Sequence, residues 1–279
     1  MSFDVSHPEV IDAVRRALAE DIGAGDVTSN LVVGEQQRAT GTFIAREPMV
    51  LAGVELLEPI YRQRGGVDEL IILHRSGARI EENFQIARVN GLARTLLECE
   101  RVALNFLQRL SGIATIAAEF TDAVKGTKCR VLDTRKTTPG LRRLEKMAAE
   151  AGGAQNHRMG LFDAILIKNN HVTAAGGIAE AMQRAQHGGM PIEIEVRTPQ
   201  ELDEALAHGA KHVLLDNLMP EEAAEWIRTI DGRATVELSG GITPHTARTY
   251  AECGADFISA GAITHSAPAV DINFRLDWH

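Results

Sequence analysis

The residues best suited to chemistry fall in one stretch, 129–172. Val131-Leu132 runs straight into Asp133-Thr134-Arg135-Lys136-Thr137-Thr138-Pro139-Gly140. A second apolar run, 164–167, breaks into Lys168-Asn169-Asn170-His171, with His157-Arg158 just upstream. Short apolar runs of this kind suit strands buried in a parallel sheet. Polar residues just past the C-terminal ends of such strands are where α/β folds hold their ligands. Arginine offers carboxylates and phosphates a planar fork, and lysine a point charge. Arg135, Lys136, Arg158 and Lys168, with His157, therefore read as a cage for anions.

The elements that must carry these residues follow a rhythm. Strands are expected over 130–132, 164–167, 192–196, 212–215, 235–238 and 256–259, and helices over 177–186, 199–207, 220–230 and 244–252. Three of the helices open on a Thr-Pro or Met-Pro pair, a helix-start signature. Successive βα units in one sense imply a (β/α) barrel or an open doubly wound sheet. Six strands fit a short or open barrel. Past the other strand ends lie Glu195 with Arg197-Thr198, Asp216-Asn217, Ser239-Gly240-Gly241 and Ser259-Ala260-Gly261-Ala262. The glycine-containing turns before helix starts can bring backbone N–H groups to a phosphate. Glu195 and Asp216 could hold a divalent metal or sugar hydroxyls. Such a mouth suits a phosphorylated sugar beside a second small acid.

Each residue also has a bland reading. Arg101, Arg135, His157 or Lys168 alone could be a surface side chain, Glu195 a structural carboxylate, and the glycine pairs simple helix-entry turns. Glu193 and Glu237 read as structural partners of lysine or arginine. Arg142, Arg143 and Lys146 read as a solvated helix face. The functional reading rests on six successive strand ends that all carry polar or glycine residues.

The first third of the chain lacks this rhythm. A helix is expected over 8–20 with Ser6 as N-cap, then a turn-rich loop over 21–29. Strand-like pieces follow at 37–45, 49–52 and 70–74, a helix at 55–64, and a loosely alternating strand pair over 79–91. A long apolar helix, 92–119, is expected to break at Ser111-Gly112. This composition suggests a separate N-terminal α+β domain, 1–105, and a domain of βα units, 106–270, with a tail, 271–279, that could return to the first.

Bulk properties narrow the function. The chain has 279 residues, 44% hydrophobic, with a formal net charge of −9. That acidity argues against nucleic acid or an anionic membrane as partner, and makes a local cation cluster more informative. Cys99, Cys129 and Cys253 are odd in number and lack CxxC spacing, so reduced thiols in a cytoplasmic protein are expected. No apolar run is long enough to span a membrane, and the N-terminus does not resemble a secretion signal.

In order along the chain, the motifs Gly25-Asp26-Val-Thr, Glu100-Arg101-x-x-Leu-Asn, Asp133-Thr-Arg-Lys-Thr-x-Pro-Gly140, Asn156-His157-Arg158, Ile167-Lys-Asn-Asn-His171, Glu193-Ile-Glu195-Val, Leu215-Asp-Asn217 and Ser239-Gly-Gly241 resemble those of the quinolinate phosphoribosyltransferases. The resemblance implies an N-terminal α/β sandwich joined to an incomplete α/β barrel. It implies transfer of phosphoribose from 5-phosphoribosyl 1-diphosphate to quinolinate, giving nicotinate mononucleotide, diphosphate and carbon dioxide in NAD biosynthesis, with magnesium as cofactor. By motif, Arg135, His157 and Arg158 would bind the two carboxylates of quinolinate, with Thr134 among the substrate-binding residues, Lys168 near both substrates and Lys136 on the phosphoribosyl donor. Glu195 and Asp216 would face its ribose and the metal. The turns Ser239–Gly241 and Ala260–Ala262 would take the 5-phosphate. Lys168, Glu195 and Asp216 stand as the catalytic candidates. Arg101 would reach the neighbouring subunit's site, implying a homodimer, with a higher oligomer open. Arg197 stands where the family commonly has an acidic residue. Three rivals remain: a sister transferase for nicotinate or a molybdenum-linked substrate, a Schiff-base aldolase using Lys168, and a phosphosugar sensor without catalysis.

Overall fold

The computed structural model describes residues 3–278. It divides into two compact units. The first comprises the described part of Met1–Ala118, with Thr137–Gly153 and the described part of Ile263–His279; the second comprises Glu119–Lys136 and Ala154–Ala262.

In the first unit, helix α1 (Pro8–Ile22) starts at His7, whose Nδ1 accepts the Glu9 N–H, so the cap is one residue beyond the expected Ser6. The expected loop after it contains a short helix, α2 (Val27–Val32), because Asp26 accepts the Ser29 N–H and caps it. Five strands follow: β1 (Arg38–Ala45), β2 (Met49–Val50), β3 (Glu69–Ile72), β4 (Arg79–Ile80) and β5 (Gln85–Leu92), with helix α3 (Leu57–Arg62) after β2. The region 79–91 is not a strand pair. β4 pairs with β2, whereas β5 lies between β1 and β3 in an antiparallel sheet. The last strand, β12 (Ile272–Trp278), completes that sheet along β1, from Ala39 opposite Trp278 to Ala45 opposite Ile272.

Helix α4 (Ala93–Ala123) runs through Ser111-Gly112 without the expected break. Ser111 is fully buried, and its hydroxyl takes the Ala52 N–H, so the polar side chain is used by tertiary structure. Gly112 is needed for space: a Cβ there would fall on the carbonyl oxygen of Pro268. Helix α5 (Arg142–Ala151) corrects the solvated-face reading, because Lys146 is only 1% exposed. Its neighbour Glu145 is fully buried and accepts from Arg109 and from both the N–H and hydroxyl of Thr138.

The second unit is built on six parallel strands: β6 (Arg130–Leu132), β7 (Ile165–Ile167), β8 (Ile192–Val196), β9 (His212–Asp216), β10 (Thr235–Ser239) and β11 (Phe257–Ser259). Their order is β6-β11-β10-β9-β8-β7, so the first two strands of the unit form its two edges. This is the α/β class with a six-stranded parallel sheet expected for an incomplete barrel. Helices α6 (Asn169–Ala175), α7 (Ile178–Gln186), α8 (Pro199–Ala207), α9 (Pro220–Ile230) and α10 (Pro244–Glu252) follow the strands, and α11 (Ala262–His265) follows β11. Helix α6 lies in a gap where one helix was expected and two occur. Thr198 and Thr243 cap α8 and α10, stopping β8 and β10 shortly before those helices begin. The strands bury Ile194, Val196, Val213, Leu215, Val236, Leu238 and Ile258 on one face. The opposite side-chain set, two residues apart along each strand, carries the polar groups.

Candidate active site

Beyond β6, the chain is tied down before it reaches His157. The Gln155 N–H donates to the Val131 carbonyl and the Asp133 N–H to the Gln155 carbonyl, like an added strand rung. Fully buried Asp133 then accepts the His157 N–H at 2.8 Å. Arg158 follows, and its Nη1 donates to the Ala164 carbonyl at 3.1 Å. Burial and the nearby Arg135 guanidinium both pull the Arg158 pKa down from its usual value. Two guanidinium groups near enough to repel each other, one of them partly desolvated, would be stabilised by an anion between them.

Lys168 leaves β7 at its C-terminal end. Its N–H donates to His171 Nδ1 at 2.9 Å, and this holds the backbone turn into α6. Its ammonium meets Glu195 Oε2 at 3.0 Å. Glu195 is 8% exposed whereas Lys168 is half exposed, so the carboxylate is the fixed member and the lysine is open to solvent. At the end of β9, Asp216 accepts from the Ser239 hydroxyl and from the Asn217 side-chain amide. Gly240 has φ +101°, and a Cβ there would collide with the Asn217 side chain and backbone nitrogen. Only glycine lets this turn pass so close to the end of β9. Gly241 is also left-handed, at φ +62°. Ala260 continues β11, and its N–H donates to the Leu132 carbonyl; Gly261 and Ala262 lead into α11.

The second unit thus brings Thr134, Arg135, Lys136, Lys168, Glu195, Asp216, Ser239–Gly241 and Ala260–Ala262 to the C-terminal ends of one parallel sheet, whereas His157 and Arg158 line a cavity with the first residues of β7 to β11. Arg101 belongs to the other unit, as an exposed residue of α4. Glu193 and Glu237 do not pair with lysine or arginine as expected. They meet His157, whose Nε2 lies 3.2 Å from Glu193 and 3.5 Å from Glu237. The signal for them was the period of two: Glu193 precedes Glu195, and Glu237 precedes Ser239, on the same strand faces. Asp133 was also missed as a support, although it directly precedes the cation motif.

For magnesium, Glu195 and Asp216 supply hard carboxylate oxygens at adjacent strand ends. That donor set fits an ion held by one or two carboxylates and completed by substrate phosphates.

Fold and strand-end chemistry together define an α/β protein whose six-stranded parallel sheet gathers cations, carboxylates and glycine turns at its strand ends, with a second unit built on an antiparallel sheet. The comparisons with known proteins are narrower. Residues 26–111 match the family described as the quinolinate phosphoribosyl transferase N-terminal domain, and 113–275 the C-terminal domain. A nicotinate-nucleotide pyrophosphorylase [carboxylating] of Mycobacterium leprae is 41% identical, covering 99% of this chain and 100% of that protein. A probable nicotinate-nucleotide pyrophosphorylase [carboxylating] of Bacillus subtilis is 36% identical over 98% of this chain and 95% of its own length. The solved nicotinate-nucleotide pyrophosphorylase of Francisella tularensis superposes with a TM-score of 0.91 at 37% identity, covering 98% of both chains. The chain belongs to the quinolinate phosphoribosyltransferase family.

Proposed function

We propose that this protein transfers phosphoribose from 5-phosphoribosyl 1-diphosphate to quinolinate with decarboxylation, yielding nicotinate mononucleotide, diphosphate and carbon dioxide. Full-length similarity to relatives named for this activity supports it, and the observation in the fold that carries it is the Arg135–Arg158 pair. A pyridine dicarboxylate brings two negative charges to one ring edge, and two guanidinium groups match them. Nicotinate brings only one, which disfavours the sister reaction.

Arg135 and Arg158 bind the ring carboxylates and hold the ring nitrogen toward the anomeric carbon, a proximity effect. Lys136 and Lys168 attract the phosphoribosyl donor. Backbone N–H groups of Ser239–Gly241 and Ala260–Ala262 receive the 5-phosphate. As the bond to diphosphate breaks, positive charge grows on the ribosyl carbon. Glu195 and Asp216 face that charge and stabilise it. Glu195 and Asp216 would hold magnesium, which would supply positive charge to offset the departing diphosphate. The ring nitrogen then supplies the new bond and becomes cationic. The bond from C2 to its carboxylate breaks, the electron pair stays at C2 beside the cationic nitrogen, and C2 takes a proton. The pyridinium is itself the electron sink, so this step needs no further cofactor.

Arg101 is proposed to enter the neighbouring subunit's site in a homodimer, adding a cation to the acid pocket. The protein is proposed to work in the cytoplasm; no helix among the described residues is long and apolar enough to cross a membrane. The test supplies quinolinate, the phosphoribosyl donor and magnesium, and follows nicotinate mononucleotide and carbon dioxide, with nicotinate as the competing acid. Turnover of quinolinate with one carbon dioxide per product is expected. Turnover of nicotinate alone overturns the reading.

A further inference from the structure

The edge strands β6 and β7 of the parallel sheet each have one side without a strand partner. The stretch 154–164 uses both. It enters along β6, where Gln155 bridges Leu132 in the parallel sense and exchanges backbone bonds with Val131 and Asp133. Fully buried Asp133 then adds a side-chain bond, accepting the His157 N–H at 2.8 Å. The stretch leaves at Ala164, directly before β7, and the Ala164 carbonyl accepts from Arg158 Nη1 at 3.1 Å. Leu132, Gln155, Arg158, Ile165 and Leu166 line one cavity. The sheet therefore curls until both edges bound the same space, and 154–164 spans its open side.

A second carboxylate curls the far half of this stretch. Asp163 accepts the Met159 N–H at 2.6 Å and the Gly160 N–H at 3.0 Å. Burial works against its charge, but the Gly160 and Met159 N–H groups, with the Arg158 charge beyond them, hold its pKa below the ordinary value. The turn has no spare room, because a Cβ on Gly160 would run into the Phe162 ring. Arg158 thus lies between a backbone fixed by Asp133 and a turn fixed by Asp163. A carboxylate in an anion pocket repels the ligand, so its use there is to hold the cations. An arginine side chain has much rotamer freedom to lose, and fixing its backbone beforehand lowers the cost of binding.

We propose that Asp133 and Asp163 are positioning residues for the acid substrate: Asp133 clamps the entry of 154–164 to β6, Asp163 closes the turn before β7, and together they present His157 and Arg158 preformed to the acid. The inference rests on the assignment of Arg158 to the acid substrate. Neither carboxylate touches that substrate. Loosening either one frees the stretch that carries Arg158 and leaves the phosphoribosyl side, on Lys168, Glu195, Asp216 and the glycine turns, untouched.

The test uses the full chain. Asp163 is exposed, so Asp163→Ala should fold normally. It is expected to raise KM for quinolinate about tenfold, the scale of one charged hydrogen bond, with KM for the phosphoribosyl donor unchanged. In an Arg158→Ala background the same substitution should add less than about twofold, because Asp163 acts through Arg158. Asp133→Asn keeps an oxygen acceptor for the His157 N–H and should recover most of what Asp133→Ala loses. KM values for both substrates that rise together, or losses that multiply in the double variant, overturn the proposal. Amide hydrogen exchange supplies a readout without substrate. Asp163→Ala should speed exchange at Met159 and Gly160 about tenfold or more, with β8 to β10 unchanged. Unchanged exchange there overturns the inference even if quinolinate is not the substrate. Faster exchange in a protein inert toward quinolinate sustains the tether and faults only the assigned reaction.

Discussion

Glu193 and Glu195 lie two residues apart on the same face of β8, yet they have different partners. Glu195, nearer the C-terminal end, takes the ammonium of half-exposed Lys168. Glu193, one step deeper, takes an imidazole and shares its surroundings with Glu237, whose pKa burial pushes up. The same contrast runs across the sheet. The mouth presents Lys168, Asp216 and the Ser239–Gly241 turn to a ligand. The base, a cavity of about 280 Å³ lined by the first residues of β7 to β11, contains Glu193 and Glu237. Depth along β8 therefore separates a carboxylate with a half-exposed partner from one with a largely buried partner.

The comparison is sharpened most by Lys168→Ala. Removing this mouth cation is expected to lower kcat/KM about 1,000-fold, the scale of losing a preorganised charge at a reacting centre. The fold should be almost unaffected, because an ion pair with a half-exposed lysine contributes little to stability. Unchanged activity with a large drop in Tm would reverse the assignment of mouth and base.

At the base, Glu237→Ala should do the opposite to the fold. It removes a buried hydrogen-bonded side chain and leaves a void, and urea unfolding should show a loss of about 2 kcal/mol. The pH dependence gives a finer probe. The folded pKa of Glu237 is raised from 4.5 to about 8, so the folded state keeps a proton that the unfolded chain releases. The contribution of this group is fully present below about pH 4.5 and is lost as pH rises through about 8. Denaturation across that window should show stability falling in the wild type relative to Glu237→Gln; a parallel pair of curves would contradict it.

Gly240→Ala tests the mouth through the backbone. At φ +101°, with Asn217 in the way, the turn must move. KM for the phosphoribosyl donor is expected to rise about tenfold, with KM for quinolinate little changed. Arg197→Asp is the smallest change. Arg197 is exposed and lies just past β8; its backbone N–H donates to Glu201, and its guanidinium makes a long, exposed ion pair with the same carboxylate at 3.8 Å. Activity and Tm should stay near wild type.

Much of this was legible in the sequence where local rules dominate. The apolar runs at Val131, Ile194, Val213, Val236 and Ile258 are buried strands, and the Thr-Pro starts at Pro199 and Pro244 are helix starts, because capping and apolar periodicity act over a few residues. What was hidden depends on distant partners. Ser111-Gly112 looked like a break, but Ser111 serves Ala52 and Gly112 admits Pro268. Lys146 looked solvated because its spacing matched Arg142 and Arg143, and only packing shows that it is buried. The pairing of β4 with β2 cannot be read from alternation alone, since alternation gives a strand's face and not its neighbour. The strand-end residues of the mouth were visible as a set. Their support was not, because Glu193 and Glu237 gain meaning only when the loop after β6 turns His157 toward them.

The central claim is that the guanidinium groups of Arg135 and Arg158 together select an acid with two carboxylates. Calorimetric binding of quinolinate and nicotinate at fixed salt tests it most directly, in the wild type and in Arg158→Ala. The wild type should prefer quinolinate about 100-fold, the scale of an extra charged contact or two, and Arg158→Ala should reduce that preference to roughly tenfold or less. Equal affinity for both acids in the wild type, or a preference that survives Arg158→Ala intact, would contradict the account.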